Sequence, residues 1–168
     1  MRTLVLLLVL VAACGSAASS MAVKTTGAEV STMAQHHTYS YAIAREAPQG
    51  YARGDLDPEL LQAIQREVDA ALKAKGYQRV EVGDLLVRIS TGERTVEDAP
   101  TGLSAAIGAP SDFDTEGALV VDVLDPTTGE LLFHGFARDV LRGDDMTAEQ
   151  IERAVERILE PVPAAAQR

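Results

Sequence analysis

Residues 117–141 read GALVVDVLDPTTGELLFHGFARDVL, which is two runs of alternating side chains joined by a turn sequence. Pro126 and Gly129 supply the turn chemistry, so the pattern predicts a β-hairpin. Apolar and polar side chains separate best when Val123 faces Phe133 across the hairpin. One face then collects Leu119, Val121, Val123, Leu131, Phe133 and Ala137, and the other Val120, Asp122, His134, Phe136 and Arg138. The hairpin therefore predicts an antiparallel sheet with one apolar face that needs a cover.

Two amphipathic helices can provide that cover. The first is predicted over residues 58–75, with a left-handed cap at Gly76. The second is predicted over residues 148–160, beginning at a capping box formed by Thr147 and Gln150. Their apolar stripes are Leu60, Leu61, Ile64, Val68, Ala71 and Leu72 in the first, and Ile151, Val155, Ile158 and Leu159 in the second.

Further strands are predicted before the hairpin. Residues 35–44 and 84–91 alternate as strands do, and residues 77–82 suit either a short strand or an extended lead-in. Residues 92–115 are rich in Gly, Pro, Ala, Ser and Asp without a clear period, which predicts a long loop that is either mobile or functional.

The order of these elements predicts the fold class. A strand, a helix and a second strand suit a right-handed crossover that makes the two strands parallel, and the hairpin adds antiparallel strands. The prediction is an α+β two-layer sandwich, in which two helices cover one face of a mixed four- to five-stranded sheet.

The N-terminal segment predicts where the protein resides. Arg2 precedes the apolar run LVLLLVLVAAC at Leu4–Cys14, which has the layout of a bacterial export signal. Cys14 is the only cysteine, and an exported protein with a single cysteine needs a reason for it. The alternatives are a free thiol in an uncleaved signal or a short membrane helix, although about ten apolar residues fall short of the ~20 that span a bilayer.

The same segment resembles the lipobox of bacterial lipoproteins. That resemblance implies diacylglycerol on the Cys14 sulfur, cleavage between Ala13 and Cys14, and a further acyl chain such as palmitate on the new amino terminus. Because Gly15 and Ser16 follow instead of an acidic residue, it also implies anchoring in the outer membrane, facing the periplasm. The expected organisation is a signal peptide at 1–13, a flexible tether at 14–34, one α+β domain at 35–163 and a C-terminal tail at 164–168.

The charge of the chain narrows the range of partners. Its formal net charge is −10, with 15 Lys and Arg against 25 Asp and Glu, and cleavage after Ala13 would remove one further cation, Arg2. Such a chain repels phosphate backbones and anionic lipid headgroups as a whole. We therefore expect no nucleic acid partner and attachment to the membrane through the lipid on Cys14.

Several short strings resemble the bacterial lipoprotein family known as domain of unknown function 4136. They are Tyr39–Tyr41, Ala71–Tyr77, Gly83–Val87, Gly117–Asp125, Phe133–Ala137 and Ile151–Pro163. The resemblance covers about residues 36–163 and departs from the family where an aromatic residue followed by arginine is expected, since Phe133 and His134 stand there. It implies a fold and a location, and it supplies no catalytic residues.

Few side chains are arranged for chemistry. His36, His37 and His134 are the only imidazoles, and adjacent residues on a strand point to opposite faces, so at most one of the pair could share a metal site with His134. In the preferred register Asp122 opposes His134, which sheet pairing alone explains. We expect no catalytic residue, metal or cofactor. The surface on which mixed charges cluster is the polar sheet face with Arg88, Asp122, His134 and Arg138.

These observations rank the functional hypotheses. The leading hypothesis is a non-enzymatic, lipid-anchored periplasmic adaptor or assembly factor with an envelope protein as partner. The alternative is a module that binds a small ligand on the exposed sheet face or on the 92–115 loop. An enzyme is the weakest of the three because the sequence offers no nucleophile motif.

Overall fold

A mixed sheet covered by two helices forms the described part of the chain. The computed structural model describes residues 21–27, 30–42, 47–52, 58–98, 112–141 and 147–166. Within them the strands are β1 (Ala22–Thr26), β2 (Thr38–Ala42), β3 (Gln78–Arg79), β4 (Leu85–Asp98), β5 (Asp112–Leu124) and β6 (Leu131–Leu141). The helices are α1 (Pro58–Ala74) and α2 (Ala148–Leu159), and a 3₁₀ helix covers Val30–Gln35.

The six strands lie in the order β1-β6-β5-β4-β2-β3. β2 runs parallel to β4 and to β3, and the other neighbours are antiparallel. The predicted α+β class and the parallel crossover through α1 are therefore confirmed. The predicted count of four to five strands is wrong, because β1 adds an edge strand that the sequence pattern did not indicate.

The hairpin has the predicted register, with Val123 opposite Phe133 and Asp122 opposite His134. A register shift follows at the turn end, where Leu124 pairs with Leu131. Leu131 is consequently 46% exposed and its neighbour Leu132 only 5%. The placement of Leu131 on the buried face was wrong because a bulge reverses the alternation of side chains from that point.

The predicted loop at 92–115 is largely strand where it is described. β4 continues to Asp98 and β5 begins at Asp112, and the two strands pair without interruption as far as Asp98 opposite Asp112. Residues 99–111, the middle of the predicted loop, lie outside the described residues. Polar side chains form these strand extensions because cross-strand pairing overrides weak local propensity.

The ends of the domain also differ from the prediction. β1 and all but the last residue of the 3₁₀ helix lie within the predicted tether at 14–34, and β1 pairs with β6 along its whole length. At the other end, the described part of the predicted tail at 164–168 is tied to the domain, since Ala165 N donates to Lys75 O at 2.8 Å and Ala166 N to Ala34 O at 2.7 Å. The folded unit therefore extends further than 35–163 in both directions.

Both helices begin at the predicted residue and end one residue before the predicted ends at 75 and 160. Thr147 and Gln150 form the capping box of α2, and Gly76 has φ +90° after α1. Their stripes bury Ile64, Val68 and Leu72 on α1, and Ile151, Ala154, Val155, Ile158 and Leu159 on α2. No helix in the described residues is both long enough and apolar enough to cross a membrane.

Within the described residues, both helices lie on one face of the sheet and none lies on the other. The covered face carries Val87, Val121 and Phe133, each at most 1% exposed and all in one core with the helix stripes. Successive strand residues alternate between faces, so Arg88, Asp122 and His134 lie on the opposite side. We call this second side the open face.

Candidate functional site

A row of polar side chains crosses the open face at right angles to the strands. Arg88 on β4 pairs with Asp122 on β5, which pairs with His134 on β6, which pairs with Thr26 on β1. Paired residues on adjacent strands point to the same face, so the register alone brings these four side chains side by side. We call them the open-face row.

Asp122 lies at the centre of the row and is only 6% exposed. Its Oδ2 accepts from Arg88 Nη2 at 2.6 Å and from Arg88 Nε at 3.2 Å. Its Oδ1 lies 2.6 Å from His134 Nδ1. Both carboxylate oxygens therefore have partners, which is what a buried charge requires.

Arg88 and His134 remain accessible on either side of that carboxylate. The Arg88 side chain is 41% exposed and the His134 side chain 36%. An arginine has five N–H donors and a histidine two ring nitrogens, so each keeps polar atoms that Asp122 does not use. In the row, the Asp122 carboxylate is therefore buried, whereas nitrogen atoms of Arg88 and His134 reach the surface.

Arg138 does not belong to the row, although it shares the face as predicted. Its register partners are Ala118 and Ala22, four residue pairs along the strands from His134. The carboxylate whose charge it influences is Glu116, whose pKa it helps to lower. The predicted polar face therefore divides into two clusters.

The second cluster is built around Tyr51, in the chain between β2 and α1. Ala52 forms an isolated antiparallel bridge with Glu93 of β4. This bridge places the neighbouring Tyr51 ring over the open face. The Tyr51 hydroxyl donates to Glu116 Oε1, and the ring lies 5.9 Å from the ring of Phe136. Arg94 Nη2 contacts the same Glu116 oxygen at 2.8 Å, and the Arg94 guanidinium lies 5.0 Å from the Tyr51 ring centroid.

No sequence motif marks Tyr51, Arg94 or Glu116 as site residues. The signal that could have found them is Gly92, where a Cβ atom would lie 2.7 Å from Tyr51 Cβ. A glycine inside a strand often marks the close approach of another segment. Here the glycine makes room for the tyrosine.

The Glu116 carboxyl has a perturbed pKa that makes stability depend on pH. Burial raises the pKa of Glu116. Hydrogen bonds from Tyr51 and Arg94 and the nearby charges of Arg94 and Arg138 lower it by more than burial raises it, so the net shift is downward. A carboxyl whose pKa is lower in the folded state stabilises the fold above its unfolded-state pKa, and this contribution is lost as the pH falls through the folded-state pKa.

We expect Glu116→Gln to remove part of the acid sensitivity of the fold. The wild-type melting temperature should fall more steeply between about pH 5 and pH 2 than that of the variant, because an ordinary glutamate titrates near pH 4.3. Thermal unfolding followed by circular dichroism at several pH values measures both slopes. Parallel curves for the two proteins would show that Glu116 has no altered pKa.

The histidines do not converge. His36, just before β2, has its Nδ1 4.0 Å from Asp84 Oδ2. His134, on β6, is instead hydrogen-bonded to Asp122 on β5. β4 and β5 separate these two strands. Within the described ranges, no group of three or more His, Cys, Asp or Glu side chains is arranged to hold a metal ion.

A third polar cluster lies on the helix-covered side and joins α1 to β2. Asp69 Oδ1 accepts from Tyr39 Oη at 2.6 Å and from Tyr41 Oη at 2.8 Å. Asp69 Oδ2 accepts from Arg79 Nη1 at 3.0 Å. Burial, then the hydrogen bond to Asp69, raises the pKa of both tyrosines. These hydrogen bonds satisfy the polar groups within the protein and hold α1 against β2 and β3 at one edge of the sheet.

Two predicted site residues, Ala13 and Cys14, lie outside the described residues. Their assignment as signal cleavage and lipidation positions stays a prediction from the sequence.

Comparison with known proteins gives a family and a fold. A family model described as domain of unknown function (DUF4136) matches residues 24–164. The PelC dodecamer from Paraburkholderia phytofirmans is similar in structure, with a TM-score of 0.54 and 12% identity over 88% of this chain and 99% of that chain. A PDZ domain protein from Parabacteroides distasonis has a TM-score of 0.54 and 13% identity over 88% of this chain and 37% of that one. No curated protein matches the chain in sequence.

Proposed function

This chain belongs to the DUF4136 family, whose function is unknown, and from that premise we propose that it is a non-enzymatic, lipid-anchored envelope protein that acts as an adaptor or assembly factor. The anchor is a lipid on Cys14, the membrane is the outer membrane, and the domain faces the periplasm. The partner is another envelope protein.

The observation that carries the proposal is the apolar run Leu4–Cys14, which ends in small residues and then the only cysteine of the chain. Each buried methylene contributes about 0.8 kcal/mol to membrane binding, and two acyl chains already give stable attachment. Cys14 therefore supplies an anchor that needs no membrane-spanning segment.

The position of β1 supports a domain held close to its membrane. Ala22, the first residue of β1, follows Cys14 by eight residues. At 3.3–3.6 Å per residue, the Cα atoms of Cys14 and Ala22 are at most about 29 Å apart. The predicted tether reached residue 34, so the folded domain begins much nearer to the anchor than the sequence indicated.

The composition of the open face supports a protein partner. Tyr51 and Phe136 lie together on this face, with the Arg94 guanidinium over the Tyr51 ring, and Arg88 lies on the same face. Tyrosine, phenylalanine and arginine are enriched at protein interfaces because they combine a large contact area with directional polar groups.

Cys14→Ser tests the anchor. We expect the wild-type protein to incorporate labelled palmitate, and we expect the variant to incorporate none and to persist as the uncleaved precursor. Mass spectrometry of purified wild-type protein should find residue 14 at the amino terminus with its acyl chains. An unmodified Cys14, or equal labelling of the variant, would contradict lipidation.

Crosslinking in intact cells tests the adaptor role. Wild-type protein should capture a stoichiometric envelope protein, and substitution of Tyr51 and Arg88 by alanine should reduce that capture. The matched control is Lys73→Ala, because Lys73 is exposed on α1, away from the open face. Equal capture by all three proteins would place the partner elsewhere on the domain.

A ligand-binding module is the second candidate, and the open-face row favours it. Arg88 and His134 meet over one carboxylate and keep exposed nitrogen atoms. Thermal shift against pooled envelope metabolites, compared with the crosslinking result, separates the two candidates. A stabilising small molecule without a protein partner would favour the ligand.

A further inference from the structure

We propose that the open-face row, together with Lys24, binds the phosphate group of a lipid headgroup or of a free phosphate. The proposal deepens the ligand-binding candidate by naming its chemical class. The lipid source also rests on the anchor at Cys14, whereas the free phosphate source does not.

The first argument is the direction of the polar groups. Both oxygens of Asp122 are occupied by Arg88 and His134, and the residue is 6% exposed. The donors that remain accessible are the free N–H groups of Arg88 and the hydroxyl of Thr26, which is exposed. A surface that buries its acceptor and exposes its donors selects a ligand that is rich in acceptors.

The second argument is local charge. Lys24 pairs with Phe136, one position along the open face from the Thr26–His134 pair. Diagonal neighbours of this kind are about 7–8 Å apart, within reach of a lysine side chain. Lys24 and Arg88 carry two positive charges against the single carboxylate of Asp122, which leaves a locally positive patch in a chain whose formal net charge is −10.

The other charged groups of this face lie apart from the row. Glu116 is paired with Arg94 in the Tyr51 cluster, and the Asp84 oxygens accept from His37 N, Thr38 N and Thr38 Oγ1 at the start of β4.

The third argument is the match between the donors and a phosphate. The arginine fork forms paired hydrogen bonds to phosphate oxygens, and lysine binds phosphate as a point charge. Asp122 fixes the orientation of the Arg88 guanidinium through two nitrogen atoms, so part of the cost of ordering that side chain is met before a ligand arrives.

The chain also brings the row close to a lipid surface. Lys24 and Thr26 lie on β1, whose first residue is eight positions after Cys14. A lipid on Cys14 would hold these two side chains at a high effective concentration relative to the headgroups of the same membrane. Repulsion by the net acidic chain does not prevent such a contact, since charges farther away than about 8–10 Å are screened at physiological salt.

The experiment uses the mature protein isolated from membranes in a neutral detergent, with isotope-labelled histidine. Inorganic phosphate is added at constant ionic strength, and the His134 imidazole resonances are followed by nuclear magnetic resonance. In a second arm, the protein is placed in bilayers of phosphatidylcholine with or without phosphatidylglycerol. We expect a saturable shift of the His134 resonances in at least one arm, and the responding arm identifies the source of the phosphate.

Matched variants decide whether the row is responsible. We expect Arg88→Gln to weaken binding about tenfold or more, as loss of charge-assisted hydrogen bonds does. Arg88→Lys should lie in between, and Lys24→Gln and Thr26→Val should each weaken it a few-fold. Arg79→Gln is the control, because its partner Asp69 lies on the helix-covered side.

Two results would overturn the proposal. One is the absence of a saturable His134 shift in both arms, and the other is an equal loss of affinity in Arg79→Gln and Arg88→Gln. Circular dichroism checks that each variant is folded, and Thr26→Val remains informative if Arg88→Gln is not, because Thr26 makes no contact with Asp122. Failure of the lipid anchor is recognised separately, from the mass of residue 14.

Discussion

Gly135→Ala is expected to lower the free energy of unfolding by about 3 kcal/mol, at the upper end of the cost of overpacking a core. Gly135 lies on β6 directly beneath α2, and a Cβ atom there would lie 2.4 Å from Ile158 Cγ2 and 3.0 Å from the Phe133 ring. Ile158 is fully buried, so it has no solvent to move into. The helix must shift away from the sheet, and the core contacts between them loosen.

Chemical unfolding of Gly135→Ala, Ile158→Ala and the double variant measures this effect and its cause. Because the added methyl group occupies space that Ile158→Ala vacates, the double variant should lose less stability than the sum of the single variants. Leu131→Ala, on the same strand but 46% exposed, is the control and should change stability by well under 1 kcal/mol. Wild-type stability for Gly135→Ala would contradict the close packing of α2 on β6.

Patterns that repeat over many residues made the centre of the fold predictable. The hairpin register followed from the alternation around Val123 and Phe133, because a slip of one residue would bury charges. The limits of α2 followed from the Thr147–Gln150 capping box, and the end of α1 from Gly76. Each of these signals is local in sequence, so no knowledge of the tertiary structure was needed to interpret it.

The edges of the sheet were not predictable in the same way. β1 is the five-residue sequence AVKTT, too short for its alternation to stand out, and it is a strand because β6 offers an unpaired edge. The extensions of β4 and β5 carry Gly92, Glu93 and several aspartates, which are poor strand formers on their own. Pairing between distant segments decides such elements, and a single sequence does not display that pairing.

The candidate site was partly predictable for the same reason. Arg88, Asp122 and His134 were expected on one face and do form one row, since the hairpin register and the alternation of β4 fix them. Arg138 shares the face but lies four residues beyond His134, about 13 Å along an extended strand. Thr26 and Tyr51 could not be placed, because β1 and the bridge at Ala52 depend on tertiary pairing.

The open face also shows why total charge is a weak guide to local binding. The chain is acidic overall, yet the two buried carboxylates of this face, Asp122 and Glu116, are consumed by internal partners. In the described part of this face, the Arg88 and Arg94 side chains beside these carboxylates are exposed. The whole-chain charge therefore bears on long-range repulsion and does not describe the charges in contact with the row.

Leu72→Ala is expected to cost about 2–5 kcal/mol, the range for truncating a buried leucine. Leu72 is 2% exposed, in the last full turn of α1, and belongs to the core shared by both helices and the sheet. Its backbone carbonyl accepts from Lys75 N and Tyr77 N at 3.1 Å each, and alanine preserves those bonds. The loss is therefore one of side-chain packing and of the cavity that remains.

The measurement that checks this expectation is the melting temperature of the variant beside that of Gln62→Ala, an exposed change in the same helix. For a chain of this size, a loss of 3 kcal/mol lowers the melting temperature by about 6–12 °C, whereas the control should stay within about 2 °C. If the melting temperature of Leu72→Ala equalled that of the wild type, α1 would not be packed against the sheet. The parallel pairing of β2 with β4, the Asp69 contacts of Tyr39 and Tyr41, and the separation of a covered face from an open face all require that packing.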